Sequence, residues 1–178
     1  MSIASSSILN TGNLKLRCFN TDDLENIYKG LSDPLVTKYY AVHFNSLEET
    51  IEQLNWYTNL LKTKTGIWWA IYDNEDENFY GGIGLNDISL TNKSAEIGFW
   101  LLPEFWGKGI LKKVMPLVCN YAFHNLNIQE LKAYVESENL NCKNLLRKQN
   151  FTLKETKLNC EIKNGQLISL AIFSKKKL

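Results

Sequence analysis

The stretch from Glu96 to Lys113, EIGFWLLPEFWGKGILKK, constrains this chain more than any other. It passes from a strand-like apolar segment through a glycine-containing turn directly into an apolar stripe at helical spacing. Gly107 and Gly109 let the backbone turn sharply and approach a ligand closely, and the helix behind them offers unpaired N–H groups and the positive end of its dipole. Such a turn suits a phosphate or pyrophosphate, and Lys108, Lys112 and Lys113 add local positive charge. From these residues alone a ligand turn and a tight packing turn stand on equal terms. A dinucleotide fingerprint needs GxGxxG after the first strand of a parallel sheet, and a P-loop needs Gly-Lys followed by Ser or Thr. Neither pattern is present, so Gly81-Gly82-Ile83-Gly84 reads as a bulge or a close backbone approach inside a strand.

The chain around this segment reads as one domain spanning residues 1–178. No repeat or low-complexity tract divides it, and a chain of this length buries roughly 70% of the surface its unfolded form exposes. Twenty basic against nineteen acidic residues give a net charge of +1, which argues against nucleic acid or an acidic membrane as partner. The four cysteines, Cys18, Cys119, Cys142 and Cys160, lie far apart with no CxxC pair, and only two histidines are available. Free thiols in a reducing compartment, and no metal site, are expected. Residues 1–11 lack a basic region followed by an apolar run, and no segment approaches the roughly 20 apolar residues of a membrane span. A cytoplasmic protein, monomer or homodimer, is expected.

Hydrophobic spacing supplies the element order. Residues 13–18 alternate as a half-buried strand, and a helix follows with Asp22, Asp23 and Glu25 in its first turn, stopped at Asp33-Pro34. Ser46 and Glu49 form a capping box ahead of Ile51, Leu54, Tyr57, Leu60 and Leu61. Three strands at 67–72, 79–88 and 95–102 read as an antiparallel meander. A helix from Ile110 to about Asn125 is interrupted by Pro116, which should kink it or remove a backbone bond. A strand at 131–135, a helix at 139–149 and strands at 151–158 and 167–173 close the chain, with Asn159 to Gly165 as a polar turn. The sum is a mixed α/β (α+β) domain with a largely antiparallel sheet.

Glu104-Phe105-Trp106-Gly107-Lys108-Gly109 resembles the (Q/R)-x-x-G-x-G/A acetyl-CoA loop of the GNAT N-acetyltransferase superfamily. Trp106 to Gly109 is similar above all to the branch of Rim-type ribosomal-protein N-terminal acetyltransferases. Asn139-x-x-Cys142 followed by Leu146, Lys148, Asn150 and Phe151 resembles that branch's N-x-x-S-x-x-x-L-x-K-x-G-F segment. The resemblance in element order runs from the Leu14 strand to Phe173. It implies a GNAT-like fold and acetyl-CoA lying against the 95–102 strand. Leu101 and Leu102 would then offer backbone groups to the pantetheine arm, and the main chain from Glu104 through Ile110 to Leu111 would wrap the pyrophosphate. Asn139 would reach the cofactor from the next helix.

Acetyl transfer needs a neutral amine and a proton for the departing thiolate. The resemblance places the acid at Cys142 and the base at Glu161, ten residues after Phe151. Glu96, at the start of the cofactor strand, is the competing base. The tyrosine acid used elsewhere in the superfamily falls on Leu146, leaving Tyr134 as a substitute. Asn150 stands for the family's helix-ending glycine and tolerates the left-handed conformation. The last strand lacks the family's Asp and Tyr, and residues 43–46 fall on the acceptor-side wall. The implied activity is direct acetyl transfer to a primary amine, first of all a protein N-terminal α-amine. A polyamine or aminoglycoside acceptor, and a non-catalytic acetyl-CoA-binding module, are the alternatives.

Overall fold

The computed structural model describes residues 8–178. Residues 1–7 of the stretch read as lacking a leader lie outside the described residues. In chain order come β1 (Leu9–Thr11), β2 (Leu14–Cys18), α1 (Leu24–Leu31), α2 (Pro34–Thr37), α3 (Leu47–Thr63), β3 (Ile67–Asp73), β4 (Phe79–Ser89) and β5 (Ser94–Leu101). They are followed by α4 (Ile110–Asn120), β6 (Glu130–Glu136), α5 (Leu140–Lys148), β7 (Thr152–Lys163) and β8 (Gln166–Lys176). The strands form one sheet in the order β1-β2-β3-β4-β5-β6-β8-β7. Every pairing is antiparallel except β5 with β6. The mixed, mostly antiparallel α+β architecture read from the sequence is therefore the observed one.

The seven residues of β3 are all buried because helices cover both sides of the sheet there. Trp68 points toward α1 and α3, packing with Trp56 and Tyr57, while Trp69 packs edge-on against Tyr121 on the side of α4. Gly84 and Gly98 are glycines because Trp68 lies flat across them. A Cβ at Gly84 would meet Trp68 Cγ at 2.3 Å, and one at Gly98 would meet the same ring at 2.9 Å. The close approach expected around Gly81 to Gly84 is thus an indole stacked on bare backbone.

Four boundaries differ from the sequence reading. Asp33-Pro34 ends α1 but also starts α2, since the Asp33 carboxylate accepts from the Leu35 amide at 2.8 Å and proline suits the first helical position. β1, joined to β2 through Gly12, is too short to show a period. The turn between β7 and β8 falls at Asn164-Gly165, both at positive φ, so β7 runs on to Lys163 and Glu161 lies on a strand rather than in a turn. Fourth, Asn159 at φ 48 marks a β-bulge where the sequence suggested the strand's end. The proline in α4 is accommodated, and the helix widens into a π turn over Tyr121–Asn125. Asn150 adopts φ 62 as expected, with the Phe151 amide donating to the Leu146 carbonyl at 3.0 Å. The four cysteines are free thiols, and no described helix is long and apolar enough to cross a membrane.

Candidate active site

A fork in the sheet creates the site. β5 and β6 pair only over Ser94, Ala95 and Glu96 with Glu130, Leu131 and Lys132. Beyond Glu96, β5 stays with β4 while β6 turns to β8. Antiparallel pairs alternate between residues that bond across the pair and residues whose groups point away. The Leu102 amide donates to the Tyr80 carbonyl at 2.9 Å, which sets the even positions of β5 on the β4 side. The main-chain groups of Phe99 and Leu101 therefore face the fork. Leu102 has its amide committed to Tyr80, and its carbonyl accepts from Phe105 at 3.0 Å. The Trp106 indole N–H donates to the Leu101 carbonyl at 2.9 Å, tying the turn back onto the end of β5.

Past the fork the chain makes a short 3-10 turn over Pro103–Phe105 and reaches Gly107 and Gly109, at φ 74 and 77. Neither glycine has an atom of the described residues within 4 Å of where a Cβ would sit, so the requirement is backbone conformation and open space. The first main-chain bond of α4 runs from the Lys113 amide to the Gly109 carbonyl at 3.2 Å. Among the described residues, this leaves the amides of Ile110, Leu111 and Lys112 without a main-chain partner at the positive end of the helix. Glu104 turns away from them: its carboxylate pairs with Lys29 of α1 at 2.7 Å, which holds it below the usual carboxylate range. Lys108 lies over the Phe105 ring at 5.2 Å, and Lys112 and Lys113 are exposed. The turn thus presents free donors and ammonium groups to open space.

On the opposite side of the fork sits Glu96, half-buried and directly across from Asn86 of β4. Burial chiefly, then the charges of Asp87 and Glu161, push its carboxyl up to about 7. Glu161 is exposed on β7 and acts here as a neighbouring charge. Asp87 was not singled out in the sequence. It stands in a β4 bulge at φ 47, and nothing in the local pattern of polar residues announces it. Tyr40, also missed, has a phenol raised well above its ordinary value by burial and by the charges of Tyr57 and Glu96. Tyr40 helps to line a cavity of about 360 Å³ with Pro34, Thr37, Val42, His43 and Lys163. Lys163 closes one side by donating to the Lys38 carbonyl at 2.6 Å and pairing with Glu136.

Asn139 and Cys142 lie at the start of α5. The Asn139 side-chain carbonyl caps the helix by accepting from the Cys142 amide at 3.1 Å. Burial pushes the Cys142 thiol up to about 12. Tyr134 stands 43% exposed on β6. The structure therefore brings Glu96, Asp87, Glu161 and Tyr40 together on one side of the fork. The glycine turn, with the Phe99 and Leu101 edge, lies along and beyond the other.

Residues 13–152 match the family model described as an acetyltransferase (GNAT) domain. The uncharacterized N-acetyltransferase YoaA of Bacillus subtilis (strain 168) is 32% identical over 145 residues, covering 81% of this chain and 82% of the relative. Spermidine N(1)-acetyltransferase of Escherichia coli (strain K12) is 24% identical over 161 residues, covering 86% and 80%. Among solved structures, RimL, the ribosomal L7/L12 alpha-N-protein acetyltransferase in complex with coenzyme A, superposes with a TM-score of 0.84 at 20% identity over 96% of this chain and 98% of that one. Spermidine N-acetyltransferase from Vibrio cholerae, with coenzyme A and spermine, gives 0.82 at 22% identity over 93% and 96%. At those identities the two structures establish a shared fold.

Proposed function

Because this chain belongs to the GNAT acetyltransferase family, we propose that it transfers acetyl from acetyl-CoA to the α-amine of a polypeptide N terminus, with Glu96 taking the amine proton. The whole chain acts as one catalytic domain. The observation that carries the reading is Glu96 at the fork, a carboxyl brought to about 7 in the one place where β5 parts from β6. A base works best with its pKa near the working pH, and this one meets that condition.

The residues at the turn fit the donor. The free amides of Ile110, Leu111 and Lys112, with Lys108, Lys112 and Lys113 near them, suit a pyrophosphate and its neighbouring phosphate. The fork-facing groups of Phe99 and Leu101 suit the amides of a pantetheine arm, and Gly107 and Gly109 keep the backbone close. Acetyl-CoA supplies an acyl carbon activated as a thioester. Glu96, ionised, accepts a proton from the bound ammonium and leaves a neutral amine whose lone pair forms the new C–N bond. Asn86 holds its place through a bond from the Trp68 indole at 2.6 Å, fixing the strand against which Glu96 stands.

Glu161 fits better as a charge that tunes Glu96 than as the base, because it is exposed. Cys142 fits the acid role poorly. A thiol pushed up to about 12 by burial is a weaker acid than an ordinary alkyl thiol such as coenzyme A's, so proton transfer from Cys142 to the leaving thiolate would run uphill. Solvent is the better proton source for the leaving thiolate. The polypeptide acceptor rests on the likeness of Trp106 to Gly109 and of Asn139 to Phe151 to the Rim-type branch. The cluster of Asp87, Glu96 and Glu161 supports a second reading, a polyamine acceptor, which the spermidine N(1)-acetyltransferase relative also suggests. Mass spectrometry of acceptors incubated with protein and acetyl-CoA decides between them. Acetyl on the α-amine of peptides supports the first reading, and acetyl on spermidine alone replaces it with the second.

A further inference from the structure

On the side of the sheet that carries α1 and α3, the half built from β6, β8 and β7 is open to solvent. A groove of about 320 Å³ crosses it, bounded by Glu130, Lys132, Tyr134, Lys154, Glu155 and Lys157. Strand register links it to the active site. Glu96 pairs in register with Lys132, Lys132 with Ser174 and Ser174 with Thr152, so one row of residues leads from the base across three neighbouring strands. Lys154 sits beside the end of that row, in the bulge between Leu153 and Glu155.

Charge changes sign along this row. At its start stand the carboxylates of Glu96, Asp87 and Glu161, which suit an ammonium. Farther on, Glu130 accepts from the Ser174 hydroxyl at 2.5 Å and keeps its charge, while Glu155 lies 3.9 Å from Lys157, so the groove sets the ammonium groups of Lys132, Lys154 and Lys157 against two carboxylates. Lys132 and Lys154 have no ion pair or hydrogen bond among the described residues. A polyamine laid along the groove would place its second ammonium against these lysines. A chain that is positive at its end and negative a few residues on would match both parts.

We propose that the acceptor polypeptide lies in this groove beyond its N terminus, and that Lys132 and Lys154 select acidic residues there. The inference rests on the N-terminal reading above and narrows its substrate class to acidic N termini. Neighbouring strands are about 4.8 Å apart, so β5 to β7 spans about 14 Å, and an extended chain covers that in about four residues. The selected acids therefore fall at about positions two to five of the acceptor.

The test compares peptides that share one N-terminal residue and carry Glu, Gln or Lys at positions two to five, with spermidine in parallel. It uses the wild-type protein and the Lys132→Gln/Lys154→Gln variant. Two partly exposed charge contacts are expected to lower KM for the Glu peptide roughly three- to tenfold relative to the Gln peptide, with kcat little changed. The preference should shrink as salt rises and vanish in the double variant, which keeps its activity on the Gln peptide and its melting temperature. Equal KM values for the three peptides, a preference for Lys, or a Glu preference that survives in the double variant overturns the groove assignment and leaves the N-terminal reading standing. Turnover of spermidine with none of any peptide overturns both.

Discussion

Replacing Glu96 with Gln separates stability from the catalysis proposed for it, because the burial that brings its carboxyl to about 7 also makes its charge expensive. Its carboxyl stands at about 7 against an ordinary 4.5, a rise worth about 3 kcal/mol at ~1.36 kcal/mol per pH unit. Partial exposure of the side chain screens this to about 2 kcal/mol. The folded chain holds the proton more tightly than the unfolded chain. Stability from this group is thus full below about pH 4.5, falls as pH rises through about 7, and is absent above it. Glutamine never ionises and escapes the loss. At pH 8 the Glu96→Gln variant is expected to melt about 4–8 °C above wild type, and at pH 4 at about the same temperature. Its kcat should fall about 10²–10⁴-fold at every pH, and the wild-type rise of kcat through about pH 7 should disappear. Thermal melts from pH 4 to 8 alongside initial rates give both readouts. A variant that is less stable than wild type at pH 8, or that keeps wild-type activity and its pH limb, refutes the reasoning.

Asp87→Asn and Glu161→Gln each remove a like charge near Glu96 and should move the acidic limb of kcat to lower pH, Asp87 by more; an unmoved limb in both would show that burial alone sets it. Cys142→Ala should leave kcat within about threefold, whereas a loss of 10² or more would restore the thiol as the acid. Gly109→Ala forces φ 77 on a residue with a side chain, at about 1–2 kcal/mol, and should raise KM for acetyl-CoA with little change in KM for the amine. Asp23 is fully buried, paired with Arg17 at 2.8 Å and accepting from the Tyr72 hydroxyl at 2.7 Å. Asp23→Ala should destabilise the fold by about 3–5 kcal/mol in chemical denaturation, while the folded fraction keeps its KM values.

Local signals carried much of this structure in the sequence. The Ser46 cap is one, since the Glu49 amide does donate to it at 3.1 Å, and the left-handed Asn150 is another. The glycines at 107 and 109 announced a sharp turn, because few other residues tolerate that backbone, but not that its face would be open rather than packed. Trp68 across Gly84 and Gly98 was only half legible: a run of glycines shows that something approaches, and not which side chain. The length of β7 was hidden because all but one of its residues are exposed, so no buried alternation separates strand from loop. The choice between Glu96 and Glu161 was hidden for a related reason. What raises Glu96 is burial beneath distant segments and the charge of Asp87, which a β4 bulge brings near, and neither depends on neighbours in sequence.

The most direct test of acetyl transfer governed by Glu96 is the release of free thiol from acetyl-CoA, followed from about pH 5.5 to 9 with and without a peptide bearing a free N terminus. Release that requires the peptide, matches acetyl-peptide formed mole for mole and rises through about pH 7 is the predicted result. Acetyl-CoA that binds without peptide-dependent release would contradict it.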